Sequence, residues 1–383
     1  MRQSTGSRRG ARTLSAAAAV AVSAGACGVW LGLSNGGARA ATTITVSSTA
    51  ELESAVANIS AGTTVQVRGG TYHPAATLRS TADGTASARI TLRAYGGEEV
   101  RIDGSRLPAG SFLAEIAGDH WTVRDITWQN SPAQGFVATS STGGVFRNLV
   151  TAHNGDTGFT LRGDGTAGNL VENLDSHGNY DVATHGRNAD GIAVRFGSGT
   201  GNRVTGARLH GNADDGLDLW QFSSPVAVER SWAYGNGVDH WRDPAFEGGG
   251  DGFQLGGGGA AAAHSVRSNA AWDNTRHGFT GNAGTGTVRL DHNTAYANTG
   301  TGFSFPDGTA RLTRNLAVHN AVGASGLGPA TVSTANTWDA GVATPPFVTT
   351  DATTAYGPRG PGGALPSTTF LTTGSTAVGA AMS

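Results

Sequence analysis

The sequence predicts an all-β protein, a right-handed parallel β-helix whose coils are about 24 residues long, and three observations carry that expectation. First, glycine followed by a bulky apolar residue recurs at Gly135-Phe136, Gly158-Phe159, Gly191-Ile192, Gly216-Leu217, Gly252-Phe253, Gly278-Phe279 and Gly302-Phe303, at intervals of 23, 33, 25, 36, 26 and 24 residues. Second, the asparagines Asn154, Asn179, Asn212, Asn236, Asn274, Asn298 and Asn320 keep the same beat and are stretched in the same two coils. Third, 60 of the 383 residues are glycine without a G-X-Y period, and only 14% are charged, a composition of short strands and tight turns. A period near 24 is too short for paired-helix repeats, and leucine-rich spacing is missing. Short alternating segments such as Gly158-Phe159-Thr160-Leu161 and Asn202-Arg203-Val204 fit a β-solenoid instead.

Residues 1–40 read as an export signal: Arg8, Arg9 and Arg12, an apolar run from Leu14 to Leu33, then the small-residue site Ala38-Arg39-Ala40. The Arg8-Arg9 pair fits a twin-arginine signal, although no bulky apolar pair follows it, so general and twin-arginine export both stand. The only cysteine, Cys27, lies inside that run, so the mature protein is expected to contain no disulfide; lipid anchoring at Cys27 is the alternative. No other stretch is long and apolar enough to span a bilayer. The formal net charge of −2 gives no footprint for nucleic acid or a membrane surface. We therefore expect a secreted monomer.

Residues 41–118 form the N-terminal cap and first coils. Thr43-Ile44-Thr45-Val46 alternates as a strand, and Thr49 to Ala57 reads as a short helix, N-capped at Thr49, with Leu52, Ala55 and Val56 on one face. A solenoid needs such a helix to cover its first rung. Thr64–Val67 and Arg89–Leu92 follow as strands. Residues 119–325 hold the repeating coils, in which the asparagines are expected to stack as an internal ladder. Residues 326–383 lose the period, and Phe347, Tyr356, Leu365, Phe370 and Leu371 are anchors for a tail that packs on or caps the last coils. Two insertions, Tyr180 to Arg187 and Val238 to Gly249, account for the two long intervals. Loops on a rigid scaffold are where sites tend to sit.

Both insertions flank a cluster of carboxylates. Aligning the coils on glycine puts Asp190, Asp215, Asp251 and His277 one residue before it, and Ala193, Asp218, Gln254 and Thr280 two residues after it. Strand alternation turns that second set outward, so Asp218 and Gln254 should be rung neighbours, ~4.8 Å apart. Aspartate before glycine is a common turn pair, which accounts for one or two of these residues. It does not account for Asp190, Asp214, Asp215 and Asp218 together. Four carboxylates on adjacent rungs repel one another unless a cation intervenes, and hard oxygen ligands in this number favour Ca²⁺ over Zn²⁺.

The strings Asn188-Ala189-Asp190-Gly191, Asp214-Asp215-Gly216-Leu217-Asp218 and Gly252-Phe253-Gln254-Leu255-Gly256 resemble the core motifs of the family 9 polysaccharide lyases, and Gly357-Pro358-Arg359 with Leu365-Pro366 resembles that family's C-terminus. The resemblance implies a parallel β-helix that binds a catalytic Ca²⁺ at Asp190, Asp214, Asp215 and Asp218. It further implies β-elimination on an acidic, uronate-containing polymer, pectate by default. The family's base is a lysine, and that position is Gln254 here. A carboxamide cannot accept the proton, so Arg195 on the preceding coil and His277 on the following one are the substitutes to weigh. Arg276 is a candidate to bind a uronate carboxylate. Trp220, on the outward face, is a candidate sugar platform, against the alternative that it, Trp232 and Trp241 pack under the insertion. Two other readings stay open. One is a polygalacturonase-like hydrolase using paired carboxylates, although the Arg-x-Lys that should follow His277-Gly278 is absent. The other is a non-catalytic carbohydrate-binding β-helix whose base is lost at Gln254.

Overall fold

A computed structural model describes residues 42–375 and 377–382; the export-signal reading, with Cys27, lies outside the described residues. The strands form three parallel sheets. The first has twelve strands, from Thr42–Val46 to Val332–Thr334. The second has ten, from Leu78–Ser80 to Gly323–Leu327, and the third has ten, from Gly70–Tyr72 to Leu316–Val318. Every pair is parallel and joins one coil to the next, which makes the chain a right-handed parallel β-helix, as the repeat predicts. The regular strands begin at Thr42, well before the markers at Gly135, because the first coils use other turn residues.

The Gly-apolar marker has a steric cause. A Cβ on Gly191 would lie 2.7 Å from the Gly216 carbonyl oxygen and 2.9 Å from Asn212 Nδ2, and Gly252 meets the same pair in the next coils. The coils thus close around the asparagine ladder only where no side chain intrudes. The following residue points inward and stacks: Phe253, Phe279 and Phe303 lie 4.9 and 4.8 Å apart, almost parallel. From Asn154 to Asn320 each ladder Nδ2 donates to the next Oδ1 at 2.8–3.0 Å, and that oxygen also accepts the backbone N–H of the asparagine before it. A further ladder that the spacing did not reveal, Asn269, Asn293, Asn315 and Asn336, serves the turn between the first and third sheets.

The capping helix spans Thr49–Ala57 and buries Leu52, Ala55 and Val56 as expected. Its N-cap is Ser48 rather than Thr49: Ser48 Oγ accepts from the Glu51 N–H, and Glu51 reaches back in a capping box. At the other end, Gly323–Leu327 and Val332–Thr334 continue the sheets past the expected end of the repeat at 325. The tail then runs back along the third sheet. Phe370, Leu371 and Ala355 pack on Trp232, Tyr234 and Trp272. Arg359 donates to Asp175 at 2.8 Å and to the carbonyls of Leu174 and Gly206 at 2.9 Å. The tail therefore covers the flank of the central coils, and Trp232 is packed beneath it rather than beneath the insertion.

Candidate carboxylate site

The second sheet carries the site. Ala193, Asp218, Gln254 and Thr280 are successive Cα partners, the column that strand alternation predicts. The residues before each glycine form a second, polar column. The Asp215 N–H donates to Asp190 Oδ1 (3.3 Å), the Asp251 N–H to Asp215 Oδ1 (2.7 Å), the His277 N–H to Asp251 Oδ1 (2.8 Å) and the Thr301 N–H to His277 Nδ1 (3.0 Å). One oxygen of each aspartate is thereby fixed on the neighbouring coil. His277 is a rung of the same kind: its Nδ1 is an acceptor held by Thr301, and it does not line the cleft. Sequence register placed these residues next to one another but gave no sign of the hydrogen bonds linking them.

A cleft of about 390 Å³ opens over this column, with Asp190, Asp214, Asp215 and Asp218 in its wall. Carboxylate oxygens of Asp190, Asp214 and Asp215 lie within 4.8 Å of one another. Asp218 is their neighbour in the same wall but outside that group of three: its Oδ1 accepts the Trp220 N–H at 2.9 Å and the Gln254 amide at 2.6 Å. Burial, reinforced by neighbouring aspartates, pushes the Asp190 and Asp215 carboxyls well above the usual range. Asp214 is raised to about 8 by burial, against the Gly249 N–H that donates to it at 2.5 Å. Asp218 is raised to about 6, again chiefly by burial, with Arg195 and Gln254 opposing. Such groups are costly to ionise alone and favourable to ionise around a cation. With oxygen ligands only and this spacing, the donor set fits Ca²⁺.

Arg195 lines the cleft and is buried. It meets Asp190 at 3.4 Å and Asp156 at 3.6 Å, and burial lowers its pKa while these carboxylates raise it, for a net increase. Arg276 lines the same cleft half-exposed, 3.5 Å from the buried Asp251. Trp220 is half-buried in the wall, its indole against Gly257, where a Cβ would fall 2.2 Å from Cε3. The two insertions pack on each other: Tyr180 stacks on Trp241 at 4.6 Å and its hydroxyl donates to Asp243 at 2.5 Å, while Arg187 pairs with Glu247 at the cleft edge. Trp241 is thus a packing residue of the insertions. Phe196 and Asn282 also line the cleft, and the sequence singled out neither.

The family described as "Pel9A-like, right handed beta helix region" matches residues 33–315. The chain belongs to this family. Among similar proteins, pectate lyase PEL9 of Emericella nidulans is 36% identical over 355 residues, covering 84% of this chain and 86% of the fungal protein. Pectate lyase L of Dickeya chrysanthemi is 34% identical over 67% of this chain and 60% of its own length. A solved structure, the pectate lyase Pel9A, superposes with a TM-score of 0.77 at 28% identity and covers 84% of this chain and 83% of that one. The Pel9A-like match spans every coil that contributes to the carboxylate cleft.

Proposed function

We propose that this protein is a secreted, Ca²⁺-dependent lyase that cleaves an acidic, uronate-containing polysaccharide by β-elimination, with pectate as the default substrate. The observation that carries the reading is the convergence of the buried Asp190 and Asp215 with the half-buried Asp214, all hard to ionise, in a cleft of a family whose named relatives are pectate lyases. Membership makes the chain a polysaccharide lyase; calcium, export and substrate are our reading. Asp190, Asp214 and Asp215, with Asp218 beside them, would hold the ion, which when bound would draw in the uronate carboxylate and acidify the neighbouring C5–H.

The chain's own residues then have separable tasks. Arg276 and Arg187 at the cleft mouth attract the polyanion, and Trp220 offers an apolar face to a sugar ring. Elimination moves the C5 proton to a base, places the electron pair in a C4–C5 double bond and expels the C4 oxygen. Gln254 does not take that proton: its amide is neutral and donates to Asp218. His277 is committed to the coil ladder. Arg195 lines the cleft, and we assign it the proton. Without the ion its carboxylate neighbours outweigh burial and hold it charged, but Asp190, the nearer of its two ion-pair partners, is one that the calcium reading gives to the ion.

The test is the product from a polymer panel of pectate, a rhamnogalacturonan and a microbial exopolysaccharide. An ultraviolet-absorbing unsaturated uronate is expected. Saturated reducing ends alone would make the protein a hydrolase, and binding without turnover would make it the lectin-like β-helix that the bond between Gln254 and Asp218 favours as a second reading.

A further inference from the structure

The strand Ile192–Ser198 breaks its own register at one residue. It pairs with Phe159–Asp164 in step as far as Arg162 with Arg195, after which Gly163 pairs with Gly197, so Phe196 is the extra residue of a β-bulge. Its φ is +52°, and it is the only phenylalanine, tyrosine or tryptophan with positive φ among the described residues. That region is unfavourable for a bulky side chain. No burial compensates, because Phe196 is 55% exposed whereas Phe136, Phe159, Phe253 and Phe279 in the same sheet are fully buried. The exposed ring stands in the wall of the carboxylate cleft, 5.6 Å from the Arg195 guanidinium carbon. Its N–H donates to the carbonyl of Trp220 on the next coil at 3.2 Å.

A residue that is strained, exposed and aimed at a cleft contributes little to folding, and bulges are a means of re-aiming one side chain without disturbing the sheet. We infer that Phe196 is a platform, presented by the bulge, against which the apolar face of one pyranose ring of the substrate stacks, beside Arg195 and the carboxylates. The inference rests on the polysaccharide-lyase reading of this cleft and assigns to it a substrate-positioning residue. The site should favour sugars that present an unsubstituted ring face at that position.

The test compares Phe196→Asn, Phe196→Leu and Phe196→Trp in the full protein, with hexagalacturonate as the probe. Asparagine tolerates positive φ but has no ring. We expect Phe196→Asn to lower kcat/KM about tenfold, carried mainly by KM. Trp should restore it and Leu should not, while calcium affinity without sugar stays within about twofold of the parent. A KM within about twofold of the parent, or equal restoration by Leu, overturns the inference, since apolar bulk shielding Arg195 would then suffice. A thermal arm separates this result from failure of the lyase reading. If the parent releases no unsaturated product, the function falls and Phe196 is judged by stability: a Phe196→Asn midpoint at or above the parent's supports a ring kept against stability. A fall of more than about 3 °C makes the ring structural and overturns the inference.

Discussion

The chemistry of the site turns on Gln254 and its neighbours. A lysine there would place a cation beside Asp218; the glutamine supplies a hydrogen bond of 2.6 Å but no charge and no base. Replacing Arg195 with alanine should lower elimination about 10³-fold if it takes the proton, and adding Gln254→Lys to that variant should recover part of the rate. Recovery by Gln254→Lys with no loss from Arg195→Ala would return the base to the position Gln254 occupies. Asp215→Asn keeps the ladder oxygen that accepts the Asp251 N–H while removing a buried charge. It should weaken calcium at least about tenfold, ~1.4 kcal/mol, by titration calorimetry, and should raise the melting temperature in chelator.

The same carboxyls give a pH signature. Asp214 and Asp218 are raised from 3.8 to about 8 and about 6, so the metal-free native state holds protons that the unfolded chain has already released. Stability without calcium should therefore fall as pH climbs from about 4 to about 8. Calcium should oppose that fall, giving a larger calcium-induced shift in melting temperature at pH 8 than at pH 5. Equal shifts at both pH values would contradict the charge balance proposed for the cleft. In the sequence, Asp190, Asp214, Asp215 and Asp218 were legible as one cluster because glycine fixes the register. Phe196 was not: Val194-Arg195-Phe196-Gly197 reads as an ordinary strand, and a bulge shows only in the pairing.

At the scale of the coil, the ladders hold the site's register. Asn236 Nδ2 donates to Asn274 and to the Leu209 carbonyl, and its Oδ1 accepts from Asn212, all in a buried setting. Asn236→Ala strands several buried polar groups and should cost about 2–4 kcal/mol in denaturant unfolding. A loss under about 1 kcal/mol would mean that water replaces the ladder there. The period announced the Asn154 to Asn320 ladder. It did not announce the one through Asn269, Asn293, Asn315 and Asn336, because the preceding rung is Ser231 and the run is short. The insertions were legible as extra length, but the stacking of Tyr180 on Trp241 was not, since nothing local links residues so far apart.

For the whole molecule, a stack of parallel coils gives each side chain of the cleft a fixed height, and the tail ties the flank through Arg359 and Asp175. The tail lies as a strap on the flank for a packing reason: Trp232, Tyr234 and Trp272 leave an apolar face on the third sheet that Phe370 and Leu371 bury. Placing carboxylates on adjacent rungs of so rigid a frame brings them together without letting them spread, and that is the basis for a calcium site. The most direct measurement is the initial rate of unsaturated-uronate formation from polygalacturonate, followed by ultraviolet absorbance as free calcium is raised from chelated to millimolar levels. The account predicts no rate in chelator and a saturable rise with calcium that Asp215→Asn shifts to higher concentration. A rate in chelator equal to that in calcium would contradict it.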